Sequence, residues 1–168
     1  MEPIQLTNAP IHFILTGGTV DSQYAPDKCT VVPRQHSGIP EYLNEVVGLG
    51  KEEIRFTEVC MKDSRDLTDK EVDKIKTTIE NSSSDHFIIS HGTYTLSKTA
   101  MYLTTHLKRK DVTIILTGSM IPLNNFHPTD AGFNLGFALA QCINSSPGVF
   151  VCIFGKKMLP DQVPNLHT

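Results

Sequence analysis

Several things this chain lacks narrow its reading at once. No apolar run approaches the ~20 residues that cross a bilayer; the longest are strand-sized, so a membrane is not an expected partner. From Met1 to Pro10 no basic stretch leads into an apolar core, and no signal peptide is visible. Positive charge is not in excess either. The formal net charge is −3, whereas a nucleic-acid binder usually shows a basic face, so nucleic acid is not an expected partner. The one short basic run, Lys108-Arg109-Lys110, reads as the end of a helix, where cations complement the dipole. Cys29, Cys60, Cys142 and Cys152 show no CxxC spacing; the last three sit in apolar surroundings and read as small buried hydrophobes in a reducing compartment. A cytoplasmic location follows as the expectation.

The familiar catalytic signatures are missing as well. The seven histidines are scattered singly, with no HxxxH or HExxH pair, so no metal site is expected. There is no phosphate-loop signature, no GxGxxG spacing and no GxSxG elbow. The expectation is a protein without a cofactor.

What is present is an alternation of strand-like and helix-like stretches. With 39% apolar and 20% charged residues, a chain of 168 residues is long enough to bury roughly two-thirds of its unfolded surface in a single domain, expected over residues 1–168. Ile11 to Leu15 is an apolar strand that runs into Thr16-Gly17-Gly18-Thr19. A polar loop from Val20 to about Ser37 follows, carrying Tyr24. A helix entered near Ser37 is expected to turn Ile39, Leu43, Val46 and Val47 to one face and to close at Gly48 and Gly50. Ile54 to Met61 alternates like a half-buried strand. Thr68 with Glu71 forms a capping box opening a helix to about Ile79. His86 to Ser90 is a short, nearly continuous apolar strand; a helix from about Thr95 or Ser97 to Leu107 turns Ala100, Leu103 and Leu107 inward. Val112 to Leu116, β-branched and suited to the centre of a sheet, is the fourth strand; Phe133 to Ile143 is an apolar helix and Val149 to Phe154 the fifth strand. Gly155 to Thr168 has little periodicity. The fold expected is a three-layer α/β sandwich around a mostly parallel, flavodoxin-like or Rossmann-like sheet of about five strands.

Polar, hydroxyl-rich segments follow four of these strands: Thr16–Thr19, Asp63–Asp66, His91–Thr95 and Thr117–Ser119. In a parallel sheet all four lie at one edge, where open α/β sheets bind ligands. Such loops are also rich in Gly and Thr simply because they turn the chain and cap helices. With metal, phosphate-loop and serine-elbow chemistry disfavoured, a threonine activated by a nearby tyrosine or lysine is the remaining way for these residue types to attack a carbonyl carbon.

Ile14-Leu15-Thr16-Gly17-Gly18-Thr19-Val20, Ser90-His91-Gly92-Thr93-Tyr94-Thr95 and Ile115-Leu116-Thr117-Gly118-Ser119-Met120-Ile121-Pro122 resemble the ordered signatures of the bacterial-type L-asparaginases. Asp63-Ser64-Arg65-Asp66-Leu67-Thr68 and Asp130-Ala131-Gly132-Phe133-Asn134-Leu135 are similar to two further segments of that family. The resemblance covers the larger N-terminal domain of the usual two-domain enzyme, without the C-terminal domain, as in a short subgroup. It implies a reaction in which Thr19 attacks the side-chain amide of L-asparagine and water resolves the acyl-enzyme. Thr93 would be the second threonine, Tyr24 the activating tyrosine, and Ser64 a holder of the substrate carboxylate. Gly92 and Ser119 fall within the segments that would line the substrate.

Three positions depart from the pattern. Tyr94 replaces the aspartate that binds the substrate ammonium, so either another carboxylate such as Asp66 takes its place or amino-acid binding weakens. Arg65 replaces a glutamine and either pairs with a carboxylate or is a solvated surface side chain. For the lysine of the relay, Lys156 and Lys157 are the candidates and Lys157 is preferred, against the reading that both are solvated. In two-domain relatives a neighbouring subunit completes each site, so a homodimer or a homotetramer is expected. The function expected is deamidation of L-asparagine. The alternatives are an amidase for another small amide and a non-catalytic binding protein on the same scaffold.

Overall fold

A computed structural model describes residues 6–167. In chain order it contains β1 (Ile11–Gly17), the hairpin strands β2 (Ser22–Ala25) and β3 (Thr30–Pro33), and the short α1 (Ile39–Glu41), which runs into a π-helical turn over Tyr42–Val46. There follow β4 (Ile54–Lys62), α2 (Asp69–Glu80), β5 (His86–Ser90), α3 (Leu96–His106), β6 (Thr113–Thr117), α4 (Ala131–Asn144), β7 (Gly148–Ile153) and β8 (Lys156–Met158). One sheet has the order β4-β1-β5-β6-β7-β8, parallel except for β8, which runs antiparallel to β7. The five parallel strands thus take the flavodoxin-type order 2-1-3-4-5, whose direction of winding reverses between β1 and β5.

Burial explains the strand sequences. All seven residues of β1 are buried, as a strand covered on both faces requires, and it is mostly apolar, with His12 and Thr16 as its hydrogen-bonding exceptions. β4, at the sheet edge, buries only Ile54 and Val59 and mixes polar with apolar residues. On one face Phe13, Leu15, Ile88 and Ile115 pack against Ala131, Leu135 and Ala138 of α4 and against Ile39 and Leu43. On the other, Ile14, Phe87, Ile89, Ile114 and Leu116 pack against Ile75 and Ile79 of α2 and Leu96, Ala100 and Leu103 of α3. The sheet between two helical layers is the expected three-layer sandwich. Among the described residues no helix is long and apolar enough to cross a membrane.

Four expectations need correction. The loop after Val20 is not featureless: β2 and β3 pair as an antiparallel hairpin from Ser22–Pro33 to Ala25–Thr30. The helix after Ser37 buries Ile39 and Leu43 but leaves Val46 and Val47 exposed. The π turn adds a residue to the last turn and rotates both valines off the buried face. The stretch after Gly155 supplies a sixth strand, β8. Finally, α3 stops at His106, before the basic run. Arg109 instead donates to the carbonyls of Ser82 and Ser84, both at 2.9 Å, just beyond the end of α2, while Lys110 reaches Thr104 O at 3.2 Å in the last turn of α3. The capping box of α2 forms as the sequence predicts, with the Thr68 N–H donating to the Glu71 carboxylate at 2.9 Å.

Candidate active site

The four polar segments meet at the carboxyl edge of the sheet, at the reversal between β1 and β5. Gly18 has φ +78°, and a Cβ there would stand 2.5 Å from the backbone nitrogen of Gly92. A Cβ on Gly92 would in turn stand 2.6 Å from Ser64 Oγ. Only glycine lets the loops after β1, β4 and β5 pack this closely. The residues that follow these glycines are Thr19 and Thr93, so backbone contact brings the two threonine loops together. The fourth loop joins through the His91 N–H, which donates to Thr117 O at 2.9 Å.

Hydrogen bonds hold the edge in place. Thr16 Oγ1 donates to Ser90 O at 2.8 Å and is fully buried, so its hydroxyl ties β1 to β5. Thr19 is half-buried and makes no side-chain hydrogen bond among the described residues. Thr93 is buried. Ser64 is buried too; its Oγ accepts from the Thr95 N–H at 3.3 Å, and Thr95 Oγ1 donates to Ser64 O at 2.9 Å. His91 is fully buried. Its Nδ1–H donates to Gly92 O at 2.8 Å and its Nε2 accepts from the Thr99 hydroxyl at 2.9 Å. Burial pushes its pKa down to about 4, so the ring is neutral and fixed in one tautomer.

The remaining sequence candidates divide. Arg65 forms a two-point pair with Asp63, Nε to Oδ1 at 3.0 Å and Nη2 to Oδ2 at 2.8 Å, which holds the Asp63 carboxyl below its ordinary range. Its guanidinium also lies 4.3 Å from the ring centre of Tyr94, which stacks on the imidazole of His167 at 3.7 Å. Asp66 is exposed on its turn, and Ser119 is buried, donating to Ile121 O at 2.7 Å. Tyr24 lies on β2, 52% exposed, and no hydrogen bond joins its hydroxyl to Thr19. Lys157 is not brought to the site. β8 returns antiparallel to β7, and Lys157 Nζ donates to Ser145 Oγ at 3.0 Å. The carbonyl of Ser145 accepts from Thr113, the first residue of β6, so this ammonium sits toward the opposite edge of the sheet.

The residues that shape the fourth loop carry no role in the sequence reading. Asp130 accepts from the N–H groups of Met120 at 3.0 Å and Ile121 at 2.9 Å, and Asn134 donates to Gly118 O and to Asp130, both at 3.0 Å. Their i, i+4 spacing at the start of α4 is the signal that shows they act together.

A family model for the asparaginase N-terminal domain matches residues 10–168. The chain belongs to the asparaginase family. An L-asparaginase of Thermococcus kodakarensis is 34% identical over 84 residues, half of this chain and a quarter of that protein. Among solved structures, the thermostable L-asparaginase from T. kodakarensis (TM-score 0.78, 24% identity) is covered over 48% of its length by 94% of this chain. The L-asparaginase I from Vibrio cholerae (0.75, 25%) is covered over 49% by 95% of it. A probable cytoplasmic L-asparaginase from Campylobacter jejuni (0.78, 24%) is covered over 51% by 96%. This asparaginase-family chain therefore spans from a quarter to about half the length of these relatives, and its sheet is that of their N-terminal domain.

Proposed function

We propose that the chain carries the reacting half of an amidohydrolase that converts L-asparagine to L-aspartate and ammonia. The observation that supports this most is the backbone contact of Gly18 with Gly92, which sets Thr19 and Thr93 on adjoining loops at the sheet reversal. In the proposed reaction Thr19 Oγ attacks the side-chain amide carbon and its proton passes to the departing nitrogen. The C–N bond breaks, ammonia leaves, and an ester to Thr19 remains. Thr93 orients the water that cleaves this ester, releasing aspartate and restoring the hydroxyl. Backbone N–H groups near Thr19 and Thr93 receive the oxyanion, each worth ~3 kcal/mol. Ser64 and Gly92 border the substrate, and closure of the β2–β3 hairpin brings Tyr24 to Thr19 as the activating group.

A dimer or tetramer of this chain is part of the proposal. Phe133 (64% exposed) stacks on Phe137 and faces Gly155, beside the exposed Phe154 (45%), and Met120 and Ile121 are exposed in the loop after β6. Such exposed apolar side chains suit burial against another copy.

Ammonia release from asparagine, glutamine and a small panel of other amides tests the reading. Wild type is expected to release ammonia, with a loss of at least 10²-fold in Thr19→Ala and in Thr93→Val. Release unaffected by Thr19→Ala overturns the assignment of the nucleophile. No release from any amide, with ligand binding intact, favours the binding-protein reading instead.

A further inference from the structure

Charge around the crevice distinguishes among amide substrates. Among the described residues, five carboxylates belong to the segments that meet there or border them, and three are already engaged. Asp21 is buried and accepts from the Ser37 hydroxyl at 2.7 Å and the Gly38 N–H at 2.8 Å. Asp63 is held at two points by Arg65. Asp130 is occupied by two backbone N–H groups and Asn134. Asp66, and Asp69 in the cavity that Ser64 and Arg65 also line, are exposed to solvent, where their charges are screened. Among the described residues, no carboxylate here is both sheltered and unengaged. A substrate ammonium entering the crevice would lose water without gaining a counter-ion.

For an anion the surroundings are different. Ser64 Oγ receives one hydrogen bond, from the Thr95 N–H, and its own hydroxyl hydrogen has no acceptor among the described residues. Arg65 spends Nε and Nη2 on Asp63 and keeps Nη1 uncommitted. Tyr94, which follows Thr93 in the chain, has Arg65 and His167 against its ring, and the one carboxylate in that cluster, Asp63, is paired with Arg65. Thr95 stands at the N-cap position of α3, whose first turn adds the positive end of a helix dipole.

We infer that the site takes a primary amide whose far end carries a carboxylate but no free ammonium, and that Tyr94 sets this preference. The inference rests on the amidohydrolase reading and narrows its substrate. Ser64 Oγ–H and Arg65 Nη1 hold the carboxylate, and the Tyr94 ring covers the space where an amino group would need an anion.

Succinamate, which is asparagine without its amino group, provides the comparison. Ammonia release from the purified chain is expected to show a kcat/KM about tenfold higher for succinamate than for asparagine. Tyr94→Asp should reverse that order, and Tyr94→Phe, which keeps the stacked ring, should preserve it. Tyr94 is half-exposed, so both variants are expected to fold, as circular dichroism would verify. A wild-type value for asparagine equal to or above that for succinamate overturns the inference while leaving the amidohydrolase reading intact. An unchanged order in Tyr94→Asp removes Tyr94 as the determinant. Release from neither amide overturns the amidohydrolase reading, and this inference falls with it.

Discussion

Buried polar side chains at the strand ends carry most of what can be tested one residue at a time. His91 is neutral in the folded chain, with its pKa pushed down to about 4 by burial, while in the unfolded chain it titrates near 6.5. Between those values the unfolded state binds the extra proton, so stability falls as pH drops through 6.5 toward 4. His12, wedged between Ser82 and Thr57 at the other end of β1, is likewise lowered to about 4 and acts in the same direction. At pH 5 the fully buried His91 alone accounts for about 2 kcal/mol. Urea unfolding from pH 7 to pH 5 should show this decline, and His91→Asn should flatten it; equal slopes would contradict the assignment. Among the described residues, two hydroxyls are buried without partners, Ser90 Oγ and Thr117 Oγ1, on residues that face each other across β5 and β6. Thr117→Val removes an unsatisfied group at nearly constant shape and should raise Tm by roughly 2–4 °C; a fall would reveal a bound partner. At this scale the place of Thr19 just beyond the end of β1 was legible, because its motif follows an apolar run. The distant placement of Lys157 was not, because two adjacent lysines carry no sign of the antiparallel return that turns one toward Ser145.

The long buried elements were the legible ones, and the short exposed elements were not. β1, β5 and β6 announce themselves as apolar runs, and α2 by its capping box, because burial on both faces or along one stripe dictates residue type. The β2–β3 hairpin has a mostly exposed surface and a turn over Pro26, Asp27, Lys28 and Cys29 that contains no glycine, so neither periodicity nor turn chemistry marks it. A hairpin of this size is marginal by itself. What fixes it is its base: the Arg34 N–H donates to Asp21 O at 2.9 Å, the Asp21 carboxylate takes Ser37 and Gly38, and Glu58 accepts from the Ser37 N–H at 3.0 Å. Burial raises the Asp21 pKa while these donors stabilise its charge. Hydrogen exchange should therefore find the hairpin amides from Gln23 to Val32 opening locally while β1 and β5 exchange only through global unfolding. Asp21→Ala should speed hairpin exchange at least tenfold without altering β5. Equal protection of hairpin and core would contradict a lid hinged at Asp21.

For the whole molecule, the sheet order decides where chemistry is possible. Reversal between β1 and β5 opens the crevice, and the parallel strands deliver four polar loops to it, which the alternation of strand and helix in the sequence already implied. Assembly was less legible, because an exposed phenylalanine on an apolar helix looks like core until its neighbours are placed. Phe133 on α4 is exposed, and so is Phe154 just after β7, beside the Gly155 that faces the Phe133 ring, so Phe133→Glu should convert a sedimenting dimer or tetramer to monomer with unchanged circular dichroism. A wild-type monomer with full amidase activity would contradict the proposed assembly. The central claim, a threonine amidohydrolase built on the contact of the Thr19 and Thr93 loops, is tested most directly by trapping the acyl-enzyme. Acid quench of the chain during turnover of an amide it hydrolyses, followed by digestion and mass spectrometry, should place the acyl group on the peptide containing Thr19, with none in Thr19→Ala. An acyl group on another residue, or turnover by Thr19→Ala at the wild-type rate, would contradict it.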